Sequence, residues 1–195
     1  MANSDRPRGF RPVAHRSGAP YNGAYREYAI PAADGSATFI GDPVTLNNAG
    51  GVVGSDGVFR AYVDQAATGN VIAGVVVGFA PDPTNLGLNH RTASTLRTVY
   101  VADDPDLVYE IQEVSGSTAL AAADVGLNAN FVVGSGSTVT GLSGVELDNT
   151  TENTTNTLDV HILGLVNRPD NEIGEHCKWL VTINRHQFAN QVAGV

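Results

Sequence analysis

The sequence predicts a mainly β protein with an extended N-terminal arm and one short helix, on three observations. Glycine is abundant, 22 of 195 residues, lysine is scarce and apolar runs are short, which suits strands joined by turns better than packed helices. The most strand-like run, NVIAGVVVGFAPDPT at residues 70–84, is β-branched or small over 71–79, and Pro81 and Pro83 forbid its continuation. Two further stretches, RTVYVADDPDLVYEIQE and HILGLVNRPDNEIG, repeat the pattern of an apolar strand ended by a polar Pro/Asp/Asn turn.

Residues 1–24 hold Pro7, Pro12 and Pro20 and show no hydrophobic period, so they read as an extended arm that makes no core of its own. Phe10, Val13, Tyr21 and Tyr25 are more apolar content than a solvated tail needs. Residues 25–195 then read as one β-rich domain with long loops. YREYAI alternates and closes at Pro31, FIGDPVTL gives two short strands broken at Gly41-Asp42-Pro43, NNAGGVVGSDG is a loop, and VFRAYV is a strand. The run at 71–79 has no alternation, which fits a strand buried on both faces, and PDPTNLGLNHRTAST after it is a polar excursion long enough to be an interaction loop.

In RTVYVADDPDLVYEIQE two alternating strands hinge at Asp103-Asp104-Pro105-Asp106. STALAAADV at 117–125 is the helix candidate, capped by Ser117 or Thr118 and stopped by Gly126. Short strands and glycine turns follow, then DNTTENTTNT, a surface loop of mostly Asn and Thr. LDVHILGLV and CKWLVTINRHQFA are the last two strands, with Trp179, Val181 and Ile183 on one face.

The net charge is −9, which argues against nucleic acid as a partner of the body. It is unevenly spread: Arg6, Arg8, Arg11, Arg16 and Arg26 stand against Asp5 alone in residues 1–26, so a basic front precedes an acidic body. No apolar run approaches the roughly 18–20 residues that span a bilayer, and the N-terminus lacks a signal-like apolar core, so a soluble protein made in a cytoplasm is expected, with no membrane partner. The single Cys177 excludes an internal disulfide and a multi-thiolate metal site.

Candidate chemistry is sparse. Cys177 beside His176, with His186 further on, has the residue types of a thiol nucleophile and base, but neighbours on a strand point to opposite faces. The histidines at 15, 90, 161, 176 and 186 never adopt HxH or HxxxH spacing. Asp103, Asp104, Asp106 and Glu110 gather carboxylates near one turn, yet without the glycine-kinked loop of a calcium site, so a solvated turn is expected. Gly134-Ser135-Gly136 has no following lysine to make a phosphate loop, and Asn149 and Asn153 match a glycosylation pattern relevant only to secreted eukaryotic proteins. No enzyme activity, metal or cofactor is expected.

Several segments, among them RPRGFRPVAHRSGAPYNG, FIGDPVTL, VIAGVVVGFAPDPTNL, VYVADDPDLVYEIQE and LGLVNRPDNEIGEHCKWLVTIN, together resemble the head decoration or cement proteins of tailed bacteriophages. The resemblance implies a β-barrel or β-tulip-like body on the outside of an icosahedral shell, often a homotrimer at a local threefold, with an arm reaching over the major capsid protein. On that reading Arg6, Arg8, Phe10, Arg11, Arg16 and Tyr21 are the partner-binding residues of the arm, charge guiding and aromatics anchoring, while the arm adds little to folding. The alternative is a host-surface or glycan-binding β module of the virion, which needs exposed aromatics.

Overall fold

The computed structural model describes residues 3–116 and 118–189. Strand β1 (Arg11–His15) is followed by β2 (Arg26–Ile30), β3 (Pro43–Val53), β4 (Phe59–Gln65), β5 (Gly74–Phe79), β6 (Arg97–Ala102) and β7 (Leu107–Gln112). After these come β8 (Asn128–Ala129), β9 (Phe131–Val132), β10 (Glu146–Leu147), β11 (Val160–Leu165) and β12 (Lys178–Ile183). Five of them close on one another in the order β2-β4-β3-β5-β6, and a second, open sheet runs β1-β7-β12-β11-β8. The mainly β class holds, but the body has two parts: a small closed ring and an open sheet, joined at the predicted hinge between β6 and β7.

The ring is filled by side chains of β-branched shape, with Val44, Val63, Val76, Val99 and Val101 packed against Tyr28 and Ile30. The larger core lies under the open sheet, around Trp179, Tyr109, Phe10, Phe131 and Ile111. Strand β5 serves both: Val76 points into the ring, whereas Val75 and the preceding Ile72 belong to the larger core. That double burial is the physical reason for its uninterrupted apolar run.

Three expectations are corrected. The arm is stitched into the body: β1 pairs antiparallel with β7 from Arg11↔Glu110 to His15↔Leu107, and Phe10 is 1% exposed between Tyr109 and Phe131, edge-on to both rings. Pro12 is tolerated because β1 is an edge strand, where a missing N–H breaks no second ladder. Gly9 and Gly41, both at positive φ, let the backbones touch so that the Phe10 N–H donates to the Gly41 carbonyl at 2.9 Å; a Cβ on Gly9 would lie 2.3 Å from that oxygen.

The NNAGGVV loop is instead the second half of β3, which resumes its pairing with β4 after a register shift between Leu46 and Gly51. The helix shrinks to one 3-10 turn at Ala122–Asp124, whose start is held by the Asp124 carboxylate accepting from the Ala121 N–H at 2.8 Å. Only Leu120 at its margin is buried, so no apolar stripe exists to fix a longer helix, and so short a segment is unstable alone. The Ser117 cap lies outside the described residues.

The 81–96 excursion is tied down by two arginines. Arg91, fully buried, donates to the carbonyls of Pro31, Asp34, Ser36 and Thr95 and pairs with the Asp34 carboxylate at 3.2 Å. Arg97 gathers the carbonyls of Ala80, Leu88 and His90 and lies over the Phe79 ring. An arginine fork satisfies several inward-turned carbonyls at once, which lets a polar loop pack without a ladder.

Candidate docking face

The paired β1 and β7 edge fixes where the basic front of the chain points. Of the six arm residues expected to bind a partner, three are used internally. Phe10 is in the core, Tyr21 packs against it with its hydroxyl donating to the Ala24 carbonyl, and Arg16 binds the Asp106 carboxylate through Nε at 3.0 Å. Arg26 likewise meets Asp103 at 3.2 Å, and His15 lies 3.3 Å from Asp104. The opposite charges of front and body are therefore partly spent on each other at the β6–β7 hinge, and the carboxylates there are held by cations and by the Tyr28 hydroxyl.

Arg6, Arg8 and Arg11 remain. Their side chains are exposed and none forms an ion pair among the described residues, whereas Arg60, Arg91, Arg168 and Arg185 all have acidic partners. Lys178, on the outward face of β12, is also without an acidic partner among the described residues, and all four cations line one narrow cleft. Glu110 shares that cleft but is neutralised by Arg168, 3.1 Å away. On the other side of Arg6 and Arg8 an open groove of about 400 Å³ is lined by the hydroxyl-bearing Ser135, Ser137, Thr140 and Ser143. Lys178 was missed in the sequence because its partners in the cleft lie some 170 residues away, and only the pairing of both β1 and β12 with β7 unites them.

The remaining chemistry-bearing residues are enclosed. Cys177 is fully buried, and burial with the charge of Glu113 pushes its thiol up to about 11, so thiolate is scarce at neutral pH. Glu113 is itself sealed, its carboxylate accepting from the Trp179 indole N–H at 2.9 Å, and burial raises it to about 7. His186, also buried, accepts from the Phe188 N–H. The single group of side chains among the described residues with metal-ligand atoms in reach of one another is Asp5, Glu146 and His176, which adjoins the basic face through Gln112. Among the described residues no helix is long and apolar enough to cross a membrane.

Compared with protein-family models, with curated proteins and with solved structures, the chain finds no match in any of the three.

Proposed function

We propose that this chain is a structural virion protein that binds the outer surface of an icosahedral phage capsid and stabilises it. The observation that carries this reading is the basic face: Arg6, Arg8, Arg11 and Lys178, unpaired among the described residues and clustered on a chain of net charge −9. Unpaired cations on an otherwise acidic surface fit a carboxylate-bearing partner surface, because arginine pairs with carboxylates through two parallel hydrogen bonds. The resemblance of the sequence to head decoration proteins supplies the shell as that surface and the major capsid protein as the partner.

Electron microscopy of the particle that contains this chain is the direct test, and density for it anywhere but the outer shell overturns the reading. Replacing Arg6, Arg8 and Arg11 together by Ala should leave folding intact, since the side chains are exposed, and weaken attachment about tenfold or more, on the order of 0.5–1 kcal/mol per lost contact. Salt near 1 M, where the screening length falls to about 3 Å, should reproduce much of that loss. Undiminished attachment of the triple variant would exclude the basic face as the contact.

Self-association as a homotrimer belongs to the same proposal. The β3–β4 hairpin presents Val53, Val58 and Phe59, the first and last 62% exposed, at a tip that a second copy would cover. Sedimentation at micromolar concentration should show the trimer, and a monomer both free and on the particle counts against it. A second reading, a glycan-binding module, draws on one place: an open cleft where exposed Tyr25, stacked on Tyr100, meets Phe188 and the Asp104 carboxylate. Aromatic faces beside carboxylates suit sugar rings, and a glycan array decides between the two.

A further inference from the structure

We propose that Asp5, Glu146 and His176 form a site for one transition-metal dication of the Zn²⁺ kind, which pins the N-terminal segment to the open sheet. The three residues come from the strand-less start of the chain, from β10 and from the turn before β12, and their ligand atoms lie within 4.8 Å of one another. His176 Nδ1 stands 3.5 Å from Asp5 Oδ1. That is too long for a good hydrogen bond, yet it is close to the edge of a tetrahedron with metal–ligand bonds of 2.0–2.1 Å, about 3.4 Å. The same Nδ1 is shut off from solvent and has no hydrogen-bond partner, so a buried ring nitrogen stands beside the Asp5 carboxylate with its bonding capacity unused.

The surroundings are arranged as they are around a metal. Gln112, 3% exposed, donates through Nε2 to Asp5 Oδ1 and to Glu146 Oε1, both at 2.9 Å, and its own carbonyl accepts the Arg6 N–H at 2.9 Å. One buried amide thus orients both carboxylates and is itself oriented by the backbone, the part that outer-shell groups play around ligating carboxylates. Without a cation the two carboxylates face each other at close range, with only the Gln112 amide between them. A dication removes that repulsion. One imidazole with two carboxylates favours Zn²⁺ and its first-row neighbours over Ca²⁺, which takes six to eight oxygens.

The site stands whatever the basic face docks against. Its consequence is mechanical: the ion would tie Asp5 to the sheet directly before Arg6 and Arg8, fixing the direction in which those cations point.

The test uses the full chain, free of any affinity tag and stripped with chelator, titrated calorimetrically with Zn²⁺ and in parallel with Ca²⁺. One Zn²⁺ per chain is expected, with affinity at least tenfold above that for Ca²⁺ and reduced tenfold or more in Glu146→Gln and in His176→Asn. Asn is chosen because His176 sits at φ 59°, which Asn tolerates. Asp5→Asn, at an exposed position, supplies a variant whose folding is not at risk. Trypsin cleavage after Arg8 gives an independent readout: Zn²⁺ should slow it in the wild type and not in Asp5→Asn. Absence of saturable binding, equal binding of Ca²⁺, or Zn²⁺ binding that survives all three substitutions would overturn the proposal. The last outcome would place the ion elsewhere.

Discussion

Phe10→Ala is expected to cost about 3–5 kcal/mol of folding stability, the range for emptying a fully buried aromatic site. Its ring is 1% exposed, with centroids 5.9 Å from Tyr109 and 5.8 Å from Phe131, both nearly perpendicular. Edge-to-face pairs of that kind add about 0.5–1.5 kcal/mol to the burial of the ring, so two partners place the loss toward the upper end. Tyr109 and Phe131 are buried on β7 and β9, so the cavity would open at the centre of the larger core rather than at its rim. Removing residues 1–24 takes away Phe10, all of β1 and the Phe10–Gly41 hydrogen bond, and should destabilise more than the point change. Against a typical total of about 5–15 kcal/mol, that loss threatens the cooperative fold itself. Urea unfolding of the intact chain, of Phe10→Ala and of the truncation measures this, with Arg11→Ala as an exposed control expected within about 0.5 kcal/mol of wild type. If the truncated chain unfolds at the midpoint of the intact one, the segment is a loose arm after all.

How far the fold could be read in the sequence depended on where each element finds its partner. The β6–β7 hinge and the run ending in β5 were legible, since alternation, Pro stops and unbroken apolar character act within a dozen residues. The second half of β3 was not, because two Asn and two Gly read as a loop, and the ladder with β4 resumes only at Gly51, the last of them. Strand β1 was hidden for the same reason at longer range: its proline-rich sequence has no strand signature, and its ladder lies on β7, nearly a hundred residues later. The site followed the same rule. The arginines of the basic front were visible as composition, but which were unpaired depended on the Asp103–Asp106 turn reaching Arg16 and Arg26 and sparing Arg6, Arg8 and Arg11. Histidine spacing, the sequence test for metal, is blind to ligands at positions 5, 146 and 176.

A large pH effect is expected at Asp42, in the turn that joins the N-terminal segment to the ring. Gly41 accepts from Phe10 and donates to the Val76 carbonyl, and the Val76 N–H returns a bond to the Asp42 carbonyl, so three segments meet here. The Asp42 side chain, 1% exposed, accepts from the Phe39 N–H at 2.8 Å and from Gln65 Nε2 at 2.9 Å. Burial outweighs these bonds and that to Ser143, and raises the carboxyl from 3.8 to about 6. The folded protein therefore holds this proton more tightly than the unfolded chain, so the contribution is fully present below pH 3.8 and is lost as pH rises to about 6. Each tenfold gain in proton affinity on folding is worth about 1.36 kcal/mol, so the loss approaches about 3 kcal/mol above that range.

Asp42→Asn removes the titration while keeping the shape: the amide oxygen can accept from Phe39 and Gln65, and the NH₂ can donate to the Ser143 hydroxyl oxygen. The variant should gain on the wild type steadily between about pH 4 and 6 and hold a constant advantage of about 2–3 kcal/mol at higher pH. Glu113, raised by burial, adds a slope of the same sign up to about 7, while His161 and His186, lowered by burial, add the opposite slope. All three are common to both proteins and cancel in the difference. Denaturant unfolding of the pair at several pH values isolates Asp42, and a difference that stays flat from about pH 4 to 7 would mean that water or a moving side chain solvates this carboxylate in the folded protein.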